Sequence, residues 1–298
     1  MVTQLLPLSL AEQESLAYLE VHVKSLASDA RGRNHYLGNT LIPSRNYITK
    51  QFQVAGYDVL FQEYSCDNIT YANIEVELLG NKYPDEIIVI GAHYDSVLYS
   101  PGANDNASGV AAVLEIARLL NRQALSRTVR LIAFVNEEPP FFQTEAMGSL
   151  VYAKRSAAKR ENIVAMFTLE TIGYFSDESG SQTYPPIVSY FYPDSGNFIA
   201  FVSNLNSRQL LQESVRIFQK QATIPVEAAA LPAFVPGVGW SDQWSFWQYG
   251  YPGIMITDTA IYRYPYYHTP QDTPDKIDYE RMARVVIGVH KMIEKLLL

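Results

Sequence analysis

Two adjacent carboxylates, Glu137 and Glu138, close an apolar run of strand type from Val129 to Val135, with no lysine or arginine in the next dozen residues. Neighbouring carboxylates repel, so the pair calls for a compensating cation or for full solvent exposure. Pro139-Pro140-Phe141-Phe142 follow, which is not the composition of an exposed turn. Upstream lie His93 and Asp95, two apart at the end of another apolar run, and Asp105 in a Gly/Asn/Ser-rich segment; downstream lie Glu170 and His268. Imidazoles, a carboxylate able to bridge, terminal carboxylates and one unbound carboxylate are the parts that two-metal hydrolysis requires. The chain reads as a metal-dependent hydrolase.

Each residue taken alone has an ordinary explanation. A His-x-Asp at a strand end is often structural, although Asp95 could accept the second N–H of a metal-bound His93. Asp or Asn ahead of a helix usually caps it, yet Asn104, Asp105, Asn106 and Ser108 are more capping groups than one helix start needs. A bridging role for Asp105 is therefore an equal alternative. In the Glu137-Glu138 pair, one carboxylate can bind metal while the other, with a raised pKa, takes a proton from water. Glu170 by itself would be assigned to the surface; its place at a strand end, like the others, makes it a candidate. His268 sits in Tyr264-Pro265-Tyr266-Tyr267-His268-Thr269-Pro270, too irregular for a core histidine on a helix. His22 and His290 fall on predicted helices and His35 in an early loop, and all three read as structural.

The elements that must position these residues follow from apolar spacing. Helices are expected over residues 9–27, 43–55, 207–222 and from Asp278 to Leu298, with another beginning at Ser108. Strands are expected at Asn73–Leu79 and Glu86–Ala92, joined by the turn Gly80-Asn81-Lys82, and at 129–135, 163–169 and 253–258. Ile87-Ile88-Val89-Ile90 is a continuous apolar run, as in a strand covered on both faces. Alternating strands and helices predict an α/β fold: a single domain with a mixed, mostly parallel central sheet flanked by helices. Every candidate ligand falls at a strand end or in the loop beyond, the edge where open α/β sheets bind ligands.

Bulk properties agree. At 298 residues the chain suits one large α/β domain or two small ones, and a formal net charge of -8 argues against nucleic-acid binding. One cysteine, Cys66, excludes an internal disulfide framework, and no basic cluster activates it as a nucleophile. No leader pattern or apolar stretch of membrane-spanning length stands out, so no membrane association is expected. Cytoplasm is the expected compartment, with export left open for a chain that has lost a leader.

With the residues assembled, the chain resembles the co-catalytic zinc exopeptidases, the family of bacterial leucyl aminopeptidases, glutamate carboxypeptidase II and the glutaminyl cyclases. The resemblance covers most of the chain from about residue 35. It rests on His93-Tyr94-Asp95-Ser96, Asn104-Asp105-Asn106-Ala107-Ser108-Gly109, Glu137-Glu138 with Gly148-Ser149, Ser241-Asp242, and His268-Thr269 with Asp272-Thr273. It implies one zinc peptidase domain over residues 1–298, without the protease-associated insert of some relatives. It also implies two zinc ions bridged by Asp105, one also held by His93 and Glu170, the other by Glu138 and His268. Glu137 would be general base and then acid, Asp95 would support His93, and Asp242 would lie beneath the site or floor the pocket. The N/O donor set suits Zn²⁺ and admits Co²⁺ or Mn²⁺.

Three departures from the family pattern stand out. Glu170 occupies a position more often held by aspartate. About five extra residues, Pro139 to Gln143 among them, separate Glu138 from Gly148 and should reshape the pocket rim. Val238 stands where some relatives carry an oxyanion-stabilising tyrosine, which leaves Tyr262, Tyr264, Tyr266 and Tyr267 as candidates. The expected reaction is hydrolysis of an N-terminal peptide bond in a peptide or peptide-like substrate. A carboxypeptidase would need an arginine for the terminal carboxylate, and Arg263 is the candidate. A glutaminyl cyclase needs a single zinc and generally lacks the first histidine ligand, which His93 supplies here. A catalytically inactive binding protein would be expected to have lost ligands. Tyr- and Trp-rich segments (Trp240, Trp244, Trp247, Tyr249, Tyr251, Tyr262 to Tyr267) are expected on the substrate side or in the core.

Overall fold

The computed structural model describes residues 5–37, 39–121, 123–186 and 188–297. Helix α1 (Leu10–Leu26) starts at a capping box in which Ser9 and Glu12 satisfy each other's backbone N–H groups. Then come α2 (Leu41–Val54), β1 (Leu60–Cys66), β2 (Ile69–Leu78), β3 (Tyr83–His93), α3 (Gly109–Leu120) and β4 (Arg127–Phe134). The second half runs α4 (Gly148–Ala158), β5 (Asn162–Glu170), β6 (Ile199–Ser203), α5 (Arg208–Gln221), β7 (Val226–Ala230), α6 (Gln243–Trp247), β8 (Gly253–Thr257) and α7 (Tyr279–Leu296).

The eight strands form one mixed sheet in the order β1-β2-β4-β3-β5-β8-β6-β7. The expected α/β sandwich is therefore what forms, with helices α1, α2, α3, α5 and α7 on one face and α4 and α6 on the other. Ile88 and Ile90 enter the larger apolar core on the first face; Ile87 and Val89 join Phe134, Tyr152 and Phe246 on the second. That double burial explains the unbroken apolar run of β3, each residue contributing about 1.5–3 kcal/mol.

One local expectation needs correction. The strands flanking Gly80-Asn81-Lys82 do not pair, because β4 lies between them, antiparallel to β2 and parallel to β3. The hairpin partner of β2 is β1, with Cys66 opposite Ile69 and a two-residue turn whose Asp67 and Asn68 both have positive φ. Among the described residues no helix is long and apolar enough to cross a membrane.

The segment that follows β3 is tied down from below by Arg33, which is only 2% exposed. Its guanidinium donates to the carbonyls of Tyr94 (2.8 Å), Leu26 (3.2 Å) and Gly102 (2.9 Å) and also to Pro101, and its backbone N–H donates to Ser96 Oγ at 3.0 Å. One planar cation thus joins the end of α1 to both ends of the loop between His93 and Asp105. Burial lowers its pKa, against the raising influence of Asp272, Asp95, Asp105 and Glu138 around it. Arg33→Met should cost about 3–5 kcal/mol, because the acids above lose their buried counter-charge and four carbonyls lose a donor. Chemical denaturation measures this, and a loss under about 1 kcal/mol would contradict the clamp.

Candidate metal centre

Strands β4, β3 and β5 are adjacent and parallel, so their carboxyl ends open onto one place. His93 is the last residue of β3, and two residues beyond the Gly91–Thr168 pair the register brings Glu170 of β5 beside it. Chain order takes β4 to one side of β3 and β5 to the other, which makes this the switch point of the sheet. His93 Nε2 lies 3.2 Å from Glu170 Oε2, 3.3 Å from Asp105 Oδ1 and 3.9 Å from Glu137 Oε2. The other oxygen of Asp105 lies 2.9 Å from His268 Nε2, which is 3.4 Å from Glu138 Oε2. Asp105 therefore stands between two imidazoles and offers one oxygen to each.

Two sets of three donors share Asp105, His93–Asp105–Glu170 and Asp105–Glu138–His268, and a third, His93–Glu137–Glu138, does not include it; in each the ligand atoms lie within 4.8 Å of one another. His93 Nε2 and Glu138 Oε1 are buried and make no hydrogen bond among the described residues. Orphaned buried donors converging from N/O ligands fit a metal ion better than a satisfied polar core.

The backbone around Asp105 explains how an acidic loop is held there. It is not a simple helix cap: Asn106 does the capping, its Oδ1 accepting from Gly109 N and Thr171 N. Gly109 has no room for a side chain, since a Cβ would lie 2.1 Å from the Leu169 carbonyl oxygen. Asn104 accepts from Gly173 N and donates to Asp258. Asp272 accepts from the N–H groups of Asn104 (2.8 Å) and Asp105 (3.0 Å), and from the hydroxyl of Tyr264 at 2.8 Å. Asp95 does more than the sequence suggested. Its carboxylate is 3.6 Å from His93 Nδ1 and also accepts from Glu137 N (3.1 Å) and Glu138 N (3.0 Å), fixing the turn that carries both glutamates. Ser241 donates to Glu170 Oε2 at 2.6 Å, and Asp242 is fully buried, with burial raising its pKa to about 7. Arg33, Asp258 and Asp272 were not assigned roles from the sequence; for Asp258 the signal was its place just past the end of β8.

Electrostatics separate the two adjacent glutamates. Burial drives Glu137 well above the usual carboxylate range; His93 opposes this, while Glu138, Glu170 and Asp242 add to it. Glu138 rises to about 7, from burial and then from Asp105. Burial pulls His268 down, but hydrogen bonds to Asp105 and Glu138 hold it at about 10. His93 is likewise raised, its burial outweighed by Glu170 and Glu137.

The tyrosine candidates separate as well. Tyr264 is spent on Asp272, Tyr262 donates to Pro236 O, and Tyr266 packs edge-on against Tyr264. Tyr267 lines the neighbouring pocket together with Glu170 and stacks its ring on His268 at 3.9 Å, and its pKa is driven far up by burial and by Asp105, Glu138, Glu170 and Glu137. Arg263 does not serve as a carboxylate anchor. It is buried over the Phe198 ring, with Nε bonded to Gln182 and Nη1 to the carbonyls of Phe198 and Tyr174. The extra residues after Glu138 fold down, with Phe141 packed on His35 and Tyr71 and Gln143 donating to Gly239 O. His35 bonds Tyr71 and His22 bonds Tyr47, outside the cluster. Trp240 lines the neighbouring apolar pocket, whereas Trp247 donates to Gly253 O.

Fold and site together define a hydrolase built to hold metal at the carboxyl edge of an α/β sheet. Comparison with known proteins makes this specific: residues 73–293 match Peptidase family M28, and the chain belongs to that family. It is 40% identical over 280 residues to the Escherichia coli protein YfbL, covering 91% of this chain and 85% of that one. It is 28% identical over 223 residues to the aminopeptidase YwaD of Bacillus subtilis, covering 72% of this chain but only 42% of that one. LapB of Legionella pneumophila shares the fold, with TM-score 0.73, 22% identity, and 98% and 76% of the two chains covered.

Zinc added after chelation should raise the unfolding midpoint by about 10 °C, the effect of binding at a few hundred times Kd. The rise should be larger at pH 8 than at pH 6, because metal has to displace protons that the raised imidazoles hold. Scanning calorimetry measures both; an equal rise at the two pH values would contradict this protonation scheme.

Proposed function

We propose that this chain is an aminopeptidase that uses two zinc ions to hydrolyse the N-terminal peptide bond of peptides. One observation carries the reading: Asp105 joins two ligand sets, and Glu137 is left beside them, buried and with a raised pKa. His93, Asp105 and Glu170 would hold one ion; Asp105, Glu138 and His268 would hold the other. Co²⁺ and Mn²⁺ satisfy the same donors. The named aminopeptidase relative supports the reading, as does the engagement of Arg263 elsewhere, which removes the anchor a carboxypeptidase would want.

When bound, the metal pair supplies a Lewis acid for the scissile carbonyl and acidifies the attacking water. Glu137 accepts the proton of that water and later returns it to the departing amine, a double duty that a raised pKa suits. Tyr267 is placed to donate a hydrogen bond to the carbonyl oxygen as negative charge develops there, taking over from the tyrosine missing at Val238. Asp95 keeps Glu137 in line through its backbone N–H. The carboxylates of the centre accept the free ammonium of the substrate. His93, which a cyclase generally lacks, favours hydrolysis over cyclisation.

Glu137→Gln should lower kcat by about 10²–10⁴ with bound zinc unchanged. Tyr267→Phe should lower kcat by about 10²–10³ with little change in KM. Both are measured on aminoacyl amides and N-acetylated counterparts, alongside metal analysis. Cleavage confined to the acetylated substrates would remove the aminopeptidase assignment, and full activity of the Gln variant would remove the base.

A further inference from the structure

Beside the metal centre opens a pocket bounded at one end by Glu170 and Tyr267. Its walls are apolar, with Phe198, Val202, Leu231, Val235 and Met255 among them, and one carboxylate besides Glu170 faces into it: Glu227. Sheet register locates that carboxylate. Glu170 pairs with Thr257, Thr257 with Ala200, and Ala200 with Glu227, so the four form one row across β5, β8, β6 and β7. Directly paired residues point to the same face, and all four line the pocket. Three strand spacings of ~4.8 Å put Glu227 about 14 Å along the floor from Glu170.

Glu227 has no partner of its own among the described residues. Among the described residues no lysine, arginine or histidine lies within 4.0 Å of it, and its carboxylate accepts no hydrogen bond, although it is half-buried in β7. The two phenols nearest in charge, Tyr184 and Tyr192, spend their hydroxyls on the carbonyls of Pro193 and Ala228. A wholly apolar occupant would strip water from this carboxylate and return nothing. A cation on an apolar stem would do the opposite, lining the walls with methylenes and forming a charge-assisted hydrogen bond at the end.

Length agrees. Measured from the metal end, the carbonyl and Cα of a bound residue take roughly 4–5 Å, an extended lysine or arginine side chain about 6–7 Å, and the hydrogen bond about 3 Å. The total matches the row, and a leucine side chain stops well short of it.

We propose that this pocket receives the side chain of the N-terminal residue and that Glu227 selects lysine or arginine there. The assignment rests on the aminopeptidase reading for its orientation, with the scissile bond at the Glu170 end. Ala200 and Ala229 keep the floor open along the way.

The discriminating pair is lysine and norleucine, which differ by the terminal amine. In the zinc-loaded full chain, kcat/KM for lysyl- and arginyl-aminomethylcoumarin should exceed that for the norleucyl substrate by at least about tenfold. Glu227→Gln should lower the lysine-to-norleucine ratio by about tenfold, towards unity. A ratio taken within one preparation does not depend on how much of it is folded. Equal or better turnover of norleucine by the natural protein, or an unchanged ratio in the variant, would overturn the assignment. Calorimetric binding of lysine amide against norleucine amide separates this from the parent reading. If no aminoacyl substrate is cleaved, the aminopeptidase reading fails. In that case tighter binding of lysine amide that Glu227→Gln abolishes would still uphold the pocket, and equal binding would sink it.

Discussion

Four carboxylates and the His93 imidazole share one water-poor recess with the more exposed His268 at its edge, and the rest of this molecule is arranged around the repulsion that this creates. Asp105, Glu137, Glu138 and Glu170 are each no more than 7% exposed, and among the described residues no lysine or arginine pairs with any of them. Without metal, the compensation comes from His93 and His268, whose raised pKa values keep them cationic between the acids. Such a site is costly for folding and favourable for a divalent cation, which replaces two mobile protons with fixed charge. Part of the net charge of -8 belongs to this cluster.

Repulsion of that size would scatter side chains held by flexible loops, and the fold answers with backbone hydrogen bonds. Asp95 holds the Glu137-Glu138 turn, Asp272 holds Asn104 and Asp105, and Asn106 ties the start of α3 to the end of β5. Arg33 closes the arrangement from below by gathering four carbonyls on one guanidinium. These groups touch no substrate; they set where the chemistry can occur. Asp258 and Asp242, each shifted to about 7 by burial, belong to the same layer.

In the proposed function, chemistry and selectivity come from different parts of the sheet. The candidate metal ligands gather where β4, β3 and β5 end, while the proposed side-chain pocket is floored by β8, β6 and β7, of which β6 runs antiparallel to β8. Glu170 belongs to both, as a ligand candidate and as the first residue of the row that ends at Glu227. Substitution at the β7 end can therefore alter what is bound without disturbing the residues that hold metal.

By itself the sequence determined the α/β class and most of the helices and central strands, because apolar spacing and unbroken β-branched runs report burial directly. It also marked out His93, Asp105, Glu137, Glu138, Glu170 and His268, since adjacent or strand-end acids without local cations are hard to explain otherwise. Pairing was out of its reach: β4 enters between β2 and β3, and the short strands β1, β6 and β7 carry too little periodicity to announce themselves. Only the tertiary structure separated Tyr267 from its three neighbours, turned Arg263 into a packing residue, and brought Arg33 and Asp272 under the site. Those decisions depend on which distant backbone groups a side chain meets, and that is set by strand order and register rather than by local residue type.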